Sequence, residues 1–402
     1  IMNFYSADFI FPICSVPLKD GIVVLDNAGI IIDVFENVTA LNNTLQIQIE
    51  PSVIQKFHGI LIPGFINSHC HLELSHLKGK INKHNKLTGF IKELIAVRSP
   101  SQSEEILDAI KSAEKSMLTE GIVAVGDISN TSITFPIKNE SDLFYHTFIE
   151  VFDLSELNTE KTWSKAKELE KMLQYNHRNL KCSISPHAPY TVTPLLFQKI
   201  NKVKASLITI HNQETESENT LFQTGTGDLK NFFELNGNNL SHIKANGRNS
   251  IQNYVPWLNF CNEIIFVHNT FSSDEDIRFT IKNVNKAWWC FCPNANIYIE
   301  NTLPDIERIS KATENILIGT DSLASNEQLS VLSEIKKITN KFPAITLQQL
   351  LTWSTFNGAQ ALKMENKLGT LEKGKKPGLV LIENVDLQNQ KITEKSQSKR
   401  VI

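Results

Sequence analysis

The sequence lacks the features that mark membrane proteins and nucleic-acid scaffolds. No apolar run approaches the ~18 residues that a membrane-spanning helix requires. The 40 Lys and Arg residues do not outnumber the 43 Asp and Glu residues, so the chain has no basic excess with which to bind phosphate groups. We therefore expect neither a nucleic-acid partner nor a membrane partner.

Cysteine is also scarce, and a leader-like start is missing. The 402 residues include six cysteines and no CxxC pair, which fits a reducing compartment. The first ten residues carry no basic segment, and Asp8 stands where a signal peptide would be apolar. These features predict a cytoplasmic protein.

What is present is a regular alternation of apolar runs with charged, helix-like stretches. Eight runs recur between residues 60 and 321: 60–62, 122–125, 144–151, 182–185, 207–210, 264–267, 287–291 and 316–318. Such strands with intervening helices are typical of a parallel sheet that is covered on both faces. Eight units match a (β/α)8 barrel in number and size. The alternative is an open, doubly wound sheet, but no GxGxxG or GxxxxGK[ST] loop opens any unit.

The two ends of the chain differ from this pattern. Residues 1–59 and 364–402 show short, strand-like segments separated by turn residues. Two such segments can pair with each other and bring the chain ends together. The sequence therefore predicts an α/β fold with a TIM-type (β/α)8 barrel over residues 60–363 and a small β-sandwich built from both ends.

Polar side chains follow the predicted barrel strands, where functional residues of such barrels lie. Five histidines and one aspartate occupy these positions: His69, His71, His187, His211, His268 and Asp321. His69 and His71 are two residues apart, so on a strand they point the same way. With His211 and Asp321 they offer three imidazoles and a carboxylate, which suit a divalent ion such as Zn²⁺ or Fe²⁺.

Taken in chain order, these motifs resemble the amidohydrolase superfamily in its cytosine-deaminase/chlorohydrolase-like branch. The matching segments are PGFINSHCHLE (63–73), SPHAPYTV (185–192), HNQE (211–214), VHN (267–269), CPNAN (292–296), GTDS (319–322) and LGTLEKGKKPGLVLI (368–382). The resemblance implies one metal ion per chain, with zinc favoured over iron, held by His69, His71, His211 and Asp321. The binuclear branch bridges two metals through a lysine on the fourth strand, and this strand ends at His187 without one.

The residue types also predict a mechanism. A bound metal ion lowers the pKa of its water towards ~7, which makes hydroxide available at neutral pH. Asp321 can accept the water proton, and Glu214, three residues after His211, is the candidate acid that protonates a ring nitrogen and then the leaving amine. His268 can donate a hydrogen bond to the hydroxide or to the tetrahedral centre.

Four further residues are candidate substrate contacts. The resemblance implies that His187 contacts substrate. Glu73 either reads a ring N–H or ribose hydroxyl or is a solvated loop carboxylate. Arg98, at the end of a predicted helix, either pairs with a substrate carboxylate or caps that helix. Asn296 either contacts substrate or shapes its loop.

These expectations leave three functional hypotheses. The first is a hydrolytic deaminase of an aminated purine-type ring, because ring protonation by Glu214 suits that reaction. The second is a hydrolase with the same site that cleaves a C–Cl, amide or cyclic C–N bond, and the third is a non-catalytic scaffold. The segment HCHLELSHLKG (69–79), followed by a helix ending in Arg98, further resembles aminodeoxyfutalosine deaminases. We expect a small-molecule substrate, with a homodimer as the candidate assembly.

Overall fold

The computed structural model describes residues 2–97, 103–175, 180–258 and 263–402, with the side chain of Tyr175 left out. Elements in these ranges are numbered in chain order. The strands are β1 (Met2–Ile10), β2 (Leu18–Lys19), β3 (Ile22–Asp26), β4 (Ile31–Phe35), β5 (Ile54–Ile62), β6 (Phe65–Cys70), β7 (Ile122–Ser129), β8 (Phe144–Val151), β9 (Leu180–Pro186), β10 (Leu207–Asn212), β11 (Glu263–His268), β12 (Lys286–Phe291), β13 (Ile316–Ile318), β14 (Val380–Glu383) and β15 (Gln397–Arg400). The helices are α1 (Val38–Leu45), α2 (Lys86–Val97), α3 (Glu104–Thr119), α4 (Phe135–Glu140), α5 (Thr159–Tyr175), α6 (Pro194–Val203), α7 (Glu216–Thr224), α8 (Asp228–Leu235), α9 (Ser250–Tyr254), α10 (Asp274–Asn283), α11 (Pro293–Glu300), α12 (Ile306–Ala312), α13 (Val331–Lys341), α14 (Leu347–Trp353) and α15 (Phe356–Ala361).

Two compact units make up the chain. The first comprises Ile1–Asn67, Lys115–Ala124 and Ser330–Ile402, and the second comprises Ser68–Glu114 and Val125–Leu329. Among the helices that the structure describes, none is long and apolar enough to cross a bilayer.

The first unit contains one seven-stranded sheet built from both ends of the chain. Its order is β15-β14-β5-β1-β3-β4, with β2 paired to β1. The strand β14 pairs antiparallel with β5, so that Leu381 lies opposite Leu61. Successive side chains point to opposite faces of the sheet: Val23 and Leu25 belong to one apolar cluster, whereas Ile22 and Val24 belong to another. Strands from both ends thus share one sheet, but two facing sheets, and therefore the predicted sandwich, are not confirmed.

One of the eight predicted barrel strands was assigned wrongly. Residues 60–62 are the end of β5, which pairs with β1 and β14 in the sheet of the first unit. The strand ends at Ile62, Pro63 and Gly64 form the connection, and the next strand, β6, begins at Phe65. A Cβ on Gly64 would lie 2.7 Å from the carbonyl oxygen of Pro377 and 2.3 Å from a methyl carbon of Val123, so the close backbone approach here requires glycine. The sequence did not show that two strands meet here, because Ile60–Ile62 and Phe65–Ile66 are all apolar and buried.

Two four-stranded sheets have the orders β6-β7-β8-β9 and β10-β11-β12-β13. Their residues belong to the second unit, except for the first three residues each of β6 and β7. The pairs β8–β9, β10–β11, β11–β12 and β12–β13 are parallel. All residues of β7 are buried, as expected for a strand that is covered on both faces. The seven remaining apolar runs all fall on strands of these sheets.

The edges of these two sheets are linked by backbone contacts at both ends. The amide of His211 in β10 donates to the carbonyl of His187 after β9 (2.9 Å), and the amide of Thr320 after β13 donates to the carbonyl of His69 in β6 (2.9 Å). An isolated parallel bridge also joins Cys70 to Asp321. These contacts place the carboxyl ends of β6, β10 and β13 close together.

Helices of the second unit build the walls above the strand ends. An apolar cluster joins Leu87 and Phe90 of α2 to Leu229 and Phe233 of α8. Other helices begin at clear caps: Thr193 accepts from the Leu196 amide to start α6, with Pro194 at the first helical position. The helices are therefore anchored where they meet the polar strand ends.

Candidate functional site

Four predicted metal ligands converge at the strand ends of the second unit. His69 lies in β6, His71 directly follows that strand, His211 lies in β10 and Asp321 follows β13. The Nε2 atoms of His71 and His211 are 3.2 Å apart. Asp321 Oδ1 lies 3.5 Å from His71 Nε2 and 3.7 Å from His69 Nε2. All four side chains, called the ligand set below, are buried.

The backbone at these strand ends adopts left-handed conformations without glycine. The φ angle is 46° at Gln213, 73° at His268 and 58° at Asp321. Such angles are unfavourable for residues with a side chain and persist where the surrounding structure fixes them. At Asp321 the fixing contact is a hydrogen bond from its amide to the carbonyl of His69 (3.1 Å). Backbone strain thus accompanies the strand ends that carry the polar residues.

A backbone contact sets the orientation of the His211 ring. Its Nδ1 lies 2.9 Å from the carbonyl oxygen of His187. A carbonyl can only accept, so Nδ1 carries the proton and Nε2 keeps its lone pair. That lone pair faces His71 Nε2. Hydrogen bonds of this kind to the nitrogen that does not bind the metal orient histidines that hold metal ions.

The protonation states of the ligand set fit a divalent metal ion. Burial lowers the pKa of His71 well below its usual value, and burial with the neighbouring His187 lowers that of His211 to about 4. Burial alone would raise the pKa of Asp321, but His69 and His71 lower it well below its usual range. The set therefore offers neutral imidazoles and a carboxylate at neutral pH.

The environment of His69 supports the same conclusion. Among the described residues, neither of its ring nitrogens has a partner at hydrogen-bond distance, since Asp321 Oδ1 lies 3.7 Å from Nε2, although the residue is only 1 % exposed. Buried polar atoms are nearly always satisfied, and a metal ion would satisfy Nε2. One ring nitrogen from each of His69, His71 and His211 lies within 4.8 Å of the others.

Glu214 and His268 form a second pair beside the ligand set. Glu214 Oε1 lies 3.5 Å from His268 Nε2, and both side chains are buried. Burial, with a smaller contribution from the Asp321 carboxylate, raises the pKa of Glu214 well above its usual value. Burial lowers the pKa of His268 well below its usual value. The pair therefore combines a carboxylic acid that holds its proton with a neutral imidazole.

Asn296 lies behind His268 rather than at the cavity. Its Nδ2 contacts His268 Nδ1 at 3.3 Å and Thr270 Oγ1 at 2.8 Å. With Asn296 as donor, the His268 proton resides on Nε2, which faces Glu214. The structure thus places Asn296 where it orients His268, and the residue is not part of the cavity lining.

A cavity of about 330 Å³ opens above these residues. Its polar floor includes His71, His211, Glu214, His268 and Asp321. Its walls are mostly apolar, and the lining residues of this kind are Leu74, Leu87, Phe90, Ile91, Leu94, Ile95, Phe152, Leu154, Phe232, Phe233 and Ile299. A mostly apolar pocket with a few convergent polar groups is typical of a small-molecule site.

The remaining candidate substrate contacts have different positions. His187 lines the cavity, and its Nδ1 contacts Thr191 Oγ1 at 2.8 Å. Glu73 is outside the lining, and its Oε2 accepts hydrogen bonds from the amides of Asn130 and Thr131. Glu73 therefore braces the loop after β7. Arg98 lies outside the described residues.

Sequence reasoning missed several polar residues of the cavity, among them Glu150 and Asn130. Glu150 lies near the end of β8, and its Oε1 is 3.6 Å from His211 Nδ1. Asn130 follows β7, and its Nδ2 donates to Glu150 Oε2 at 2.8 Å. The available signal was a carboxylate that interrupts an otherwise apolar strand end.

A buried ion pair supports the backbone next to His71, and it was also missed. Lys138 Nζ lies 2.5 Å from Asp127 Oδ2, and both side chains are fully buried. The other carboxylate oxygen, Asp127 Oδ1, accepts a hydrogen bond from the amide of Leu72 at 2.8 Å. Because Leu72 directly follows His71, this pair fixes the chain where the ligand leaves its strand.

In its metal-free form, the protein is expected to lose stability as the pH falls from about 6.5 towards 4. Burial, together with a neighbouring histidine, lowers the pKa values of His187 and His211 to about 4, whereas an unfolded histidine titrates near ~6.5. Between these values the unfolded chain binds more protons than the folded protein. The free energy of unfolding therefore falls with pH, by at most about 1.4 kcal/mol per pH unit for each such histidine.

Urea denaturation in the presence of a chelator, across this pH range, measures that slope. His187→Asn is expected to reduce this slope by up to about 1.4 kcal/mol per pH unit, because the variant has one titrating histidine fewer. His84→Asn is the matched control, because it also removes one imidazole and the His84 side chain is exposed; the difference in slope between the two variants is the quantity tested. Equal slopes for wild type and both variants would contradict the assigned protonation states.

Comparisons with known proteins agree with this geometry. A family model described as the amidohydrolase family matches residues 60–402. An adenosine deaminase from Helicobacter pylori is 27 % identical over 365 residues, which cover 89 % of this chain and 87 % of that protein. An aminodeoxyfutalosine deaminase from Nitratiruptor sp. is 25 % identical over 374 residues, which cover 90 % and 88 %.

Solved structures show the same fold. The aminofutalosine deaminase of Helicobacter pylori in complex with methylthio-coformycin has a TM-score of 0.79 at 24 % identity, with both chains covered completely. An adenosine deaminase from Xanthomonas campestris with bound zinc has a TM-score of 0.71 at 21 % identity, with 96 % of this chain and 86 % of that chain covered.

Proposed function

The chain belongs to the amidohydrolase family and within it is a hydrolytic deaminase acting on carbon–nitrogen bonds, and from this premise we propose that its substrate is an adenine nucleoside. The relatives described above are named for the deamination of adenosine and of aminodeoxyfutalosine. The product would be the corresponding 6-oxo nucleoside together with ammonia.

The observation that carries this proposal is the buried acid Glu214 beside the ligand set. Hydroxide adds to the amine-bearing carbon of adenine only if negative charge on the adjacent ring nitrogen is neutralised. Glu214 can donate that proton, because burial keeps its carboxyl protonated. Its position on the cavity floor next to His268 brings the acid to the same place as the ligand set.

Asp321, Glu214 and His268 each have a separate role in the proposed reaction. A divalent ion held by the ligand set would lower the pKa of a bound water so that hydroxide is available near neutral pH. Asp321, whose lowered pKa keeps it ionised, accepts one proton from the attacking water. Glu214 protonates the ring nitrogen, and His268 donates Nε2–H to the developing tetrahedral centre. Of the two water protons, one leaves on ammonia and the other restores the Glu214 acid.

Two finer features belong to the same proposal. We infer a single zinc ion, because three imidazoles and one carboxylate suit zinc and because a structural relative contains zinc. We also infer that the two four-stranded sheets close into an eight-stranded barrel. The backbone contacts from His211 to His187 and from Thr320 to His69 support this closure.

The cavity walls favour a substrate with an apolar group on its sugar. Phe90, Ile91 and Leu94 of α2 face the cavity together with Phe232 and Phe233 of α8. Burial of an apolar substituent against such walls contributes roughly 25 cal/mol for each Å² removed from water. An adenosine whose 5′-hydroxyl is replaced by an alkylthio group has this character.

The test is an activity screen with the purified, zinc-loaded protein. Adenosine, 5′-methylthioadenosine, guanosine and cytidine are offered in turn, and ammonia release is measured alongside the change in ultraviolet absorbance. We expect ammonia from the adenine nucleosides, with 5′-methylthioadenosine preferred, and none from the same protein after treatment with a chelator. Ammonia from guanosine or cytidine alone would overturn the adenine assignment. Cleavage of an aryl chloride or a cyclic amide, with every nucleoside inert, would overturn the reaction class.

A further inference from the structure

One buried carboxylate of the cavity has no part in the reaction described above. Glu150 is 9 % exposed and lines the cavity with Asn130. Its Oε1 lies 3.6 Å from Nδ1 of His211. That is the opposite edge of the ring from Nε2, the atom that faces His71. The His211 ring therefore lies between Glu150 and His71 Nε2, so a substrate group that reaches Glu150 lies on the opposite edge of this ring from the other ligand atoms.

The surroundings of Glu150 hold it in a defined position. Asn130 donates Nδ2–H to Glu150 Oε2 at 2.8 Å. The backbone of Asn130 is fixed in turn, since its amide and that of Thr131 both donate to Glu73 Oε2, at 3.2 Å each, and the Thr131 hydroxyl donates to the same oxygen at 2.9 Å. Two buried carboxylates thus brace one loop, which pre-organises the polar edge of the cavity.

The chemistry of adenine decides what this edge can bind. A carboxylate oxygen accepts hydrogen bonds, so the group opposite it must be a donor. The adenine base has one donor, its amine, and the ring nitrogen N7 is an acceptor, as are the other unsubstituted ring nitrogens. If the amine-bearing carbon lies at the ligand set, the remaining donors of an adenine nucleoside are its sugar hydroxyls.

We propose that Glu150, held by Asn130, forms a subsite that binds the sugar hydroxyls of the substrate. This inference rests on the proposed function for the identity of the substrate. It makes Glu150 a specificity-determining residue that distinguishes ribonucleosides from deoxynucleosides. Glu73 acts only through the loop that carries Asn130.

The kinetic test compares adenosine with 2′-deoxyadenosine and 3′-deoxyadenosine. Glu150→Gln should lower kcat/KM for adenosine by about 10- to 100-fold, the loss expected for a hydrogen bond to a charged group. It should lower kcat/KM much less for the deoxynucleoside that lacks the bound hydroxyl, so the wild-type preference for ribose shrinks. Glu105→Gln is the matched control, because Glu105 is an exposed glutamate on α3, and it should behave as wild type.

Two further measurements separate the possible failures. Elemental analysis should show unchanged metal content in Glu150→Gln. An equal loss with all three nucleosides would overturn the subsite and indicate that Glu150 only positions His211.

Calorimetric binding of the same nucleosides to chelator-treated protein tests the subsite without turnover. If wild type deaminates none of them but binds adenosine more tightly than the deoxynucleosides, and Glu150→Gln loses that difference, the proposed reaction fails and the subsite stands. If wild type binds all three equally, the subsite fails.

Discussion

His211→Ala is expected to remove both the bound metal ion and the activity. The His211 ring is held by one backbone contact, and its Nε2 faces His71 at 3.2 Å. Alanine supplies no nitrogen there, and two imidazoles and a carboxylate remain. Loss of a residue that only hydrogen-bonds to a ligand costs about 10- to 100-fold in metal affinity, so loss of a ligand itself should exceed about 100-fold. Ammonia release should fall to the background of the assay.

Elemental analysis after gel filtration and the ammonia assay, performed on the same preparation, check this result. His58→Ala is the control, because it removes an exposed imidazole of the first unit. The control should retain one metal ion per chain and full turnover. A His211→Ala protein with wild-type metal content would show that His211 is not a ligand, and two tightly bound ions in wild type would refute a single-metal site.

Glu214→Gln should separate metal binding from turnover. Glutamine keeps the shape of the side chain and its contact with His268, but it cannot give up and recover a proton. We expect metal content to stay at the wild-type level while kcat falls by ~100-fold or more, the range typical for loss of a general acid–base group. The buried position of Glu214 makes the effect large, because water does not easily replace the acid there.

Glu216→Gln is the matched control, since Glu216 is exposed and lies two residues further along the chain. Its kcat should equal that of wild type. Metal loss in Glu214→Gln would contradict the assigned role and make Glu214 a ligand or a support for one. An unchanged kcat would show that another group supplies the proton.

Most of the ligand set could be predicted from the sequence because buried parallel strands have a recognisable sequence pattern. Each strand appears as an apolar run, and the first polar residues after it lie at the carboxyl edge of the sheet. His69 does not follow this rule, because the run ahead of it, 60–62, belongs to β5, and its spacing from His71 identified it instead. His211 and Asp321 do follow it, after the runs 207–210 and 316–318. Their positions depend only on where the strands end, which the pattern of apolar residues records.

Residues whose position depends on a turn could not be predicted in this way. Glu73 was expected on the same side as His71, but the chain enters a 3-10 turn over Leu72–Leu77. That turn directs Glu73 to the amides of the loop after β7. Glu150 lies near the end of β8, where a carboxylate among apolar residues is an unusual feature but does not show which side chains face a cavity. The Lys138–Asp127 ion pair joins residues on different elements that no local pattern connects.

In the sheet of the first unit, the pairing of strands could be predicted from the sequence, but the number of layers could not. Pairing between the two ends was predictable, because both ends carry short strand-like segments and an isolated hairpin such as β14–β15 is only marginally stable. The number of layers was not, because the residues that cover the second face include Leu41 on α1, which begins at an Asn37 cap in a segment expected to form strands. Local capping outweighed the strand-like pattern there.

Because β14 pairs with β5, the sheet of the first unit cannot be completed until the ribosome has synthesised β14. Leu61 and its partner Leu381 are separated by 320 residues, so at about 5–20 residues per second a ribosome needs roughly 15–60 s to deliver the second after the first. During this interval β1, β3 and β4 can assemble on β5, but the other edge of β5 has no strand to pair with. Ile60, Leu61 and Ile62 are buried in the folded protein, and their strand lacks its β14 neighbour until Val380–Ile382 have been synthesised. A ribosome that stalls before Val380 therefore leaves an apolar strand edge open to pairing with other chains.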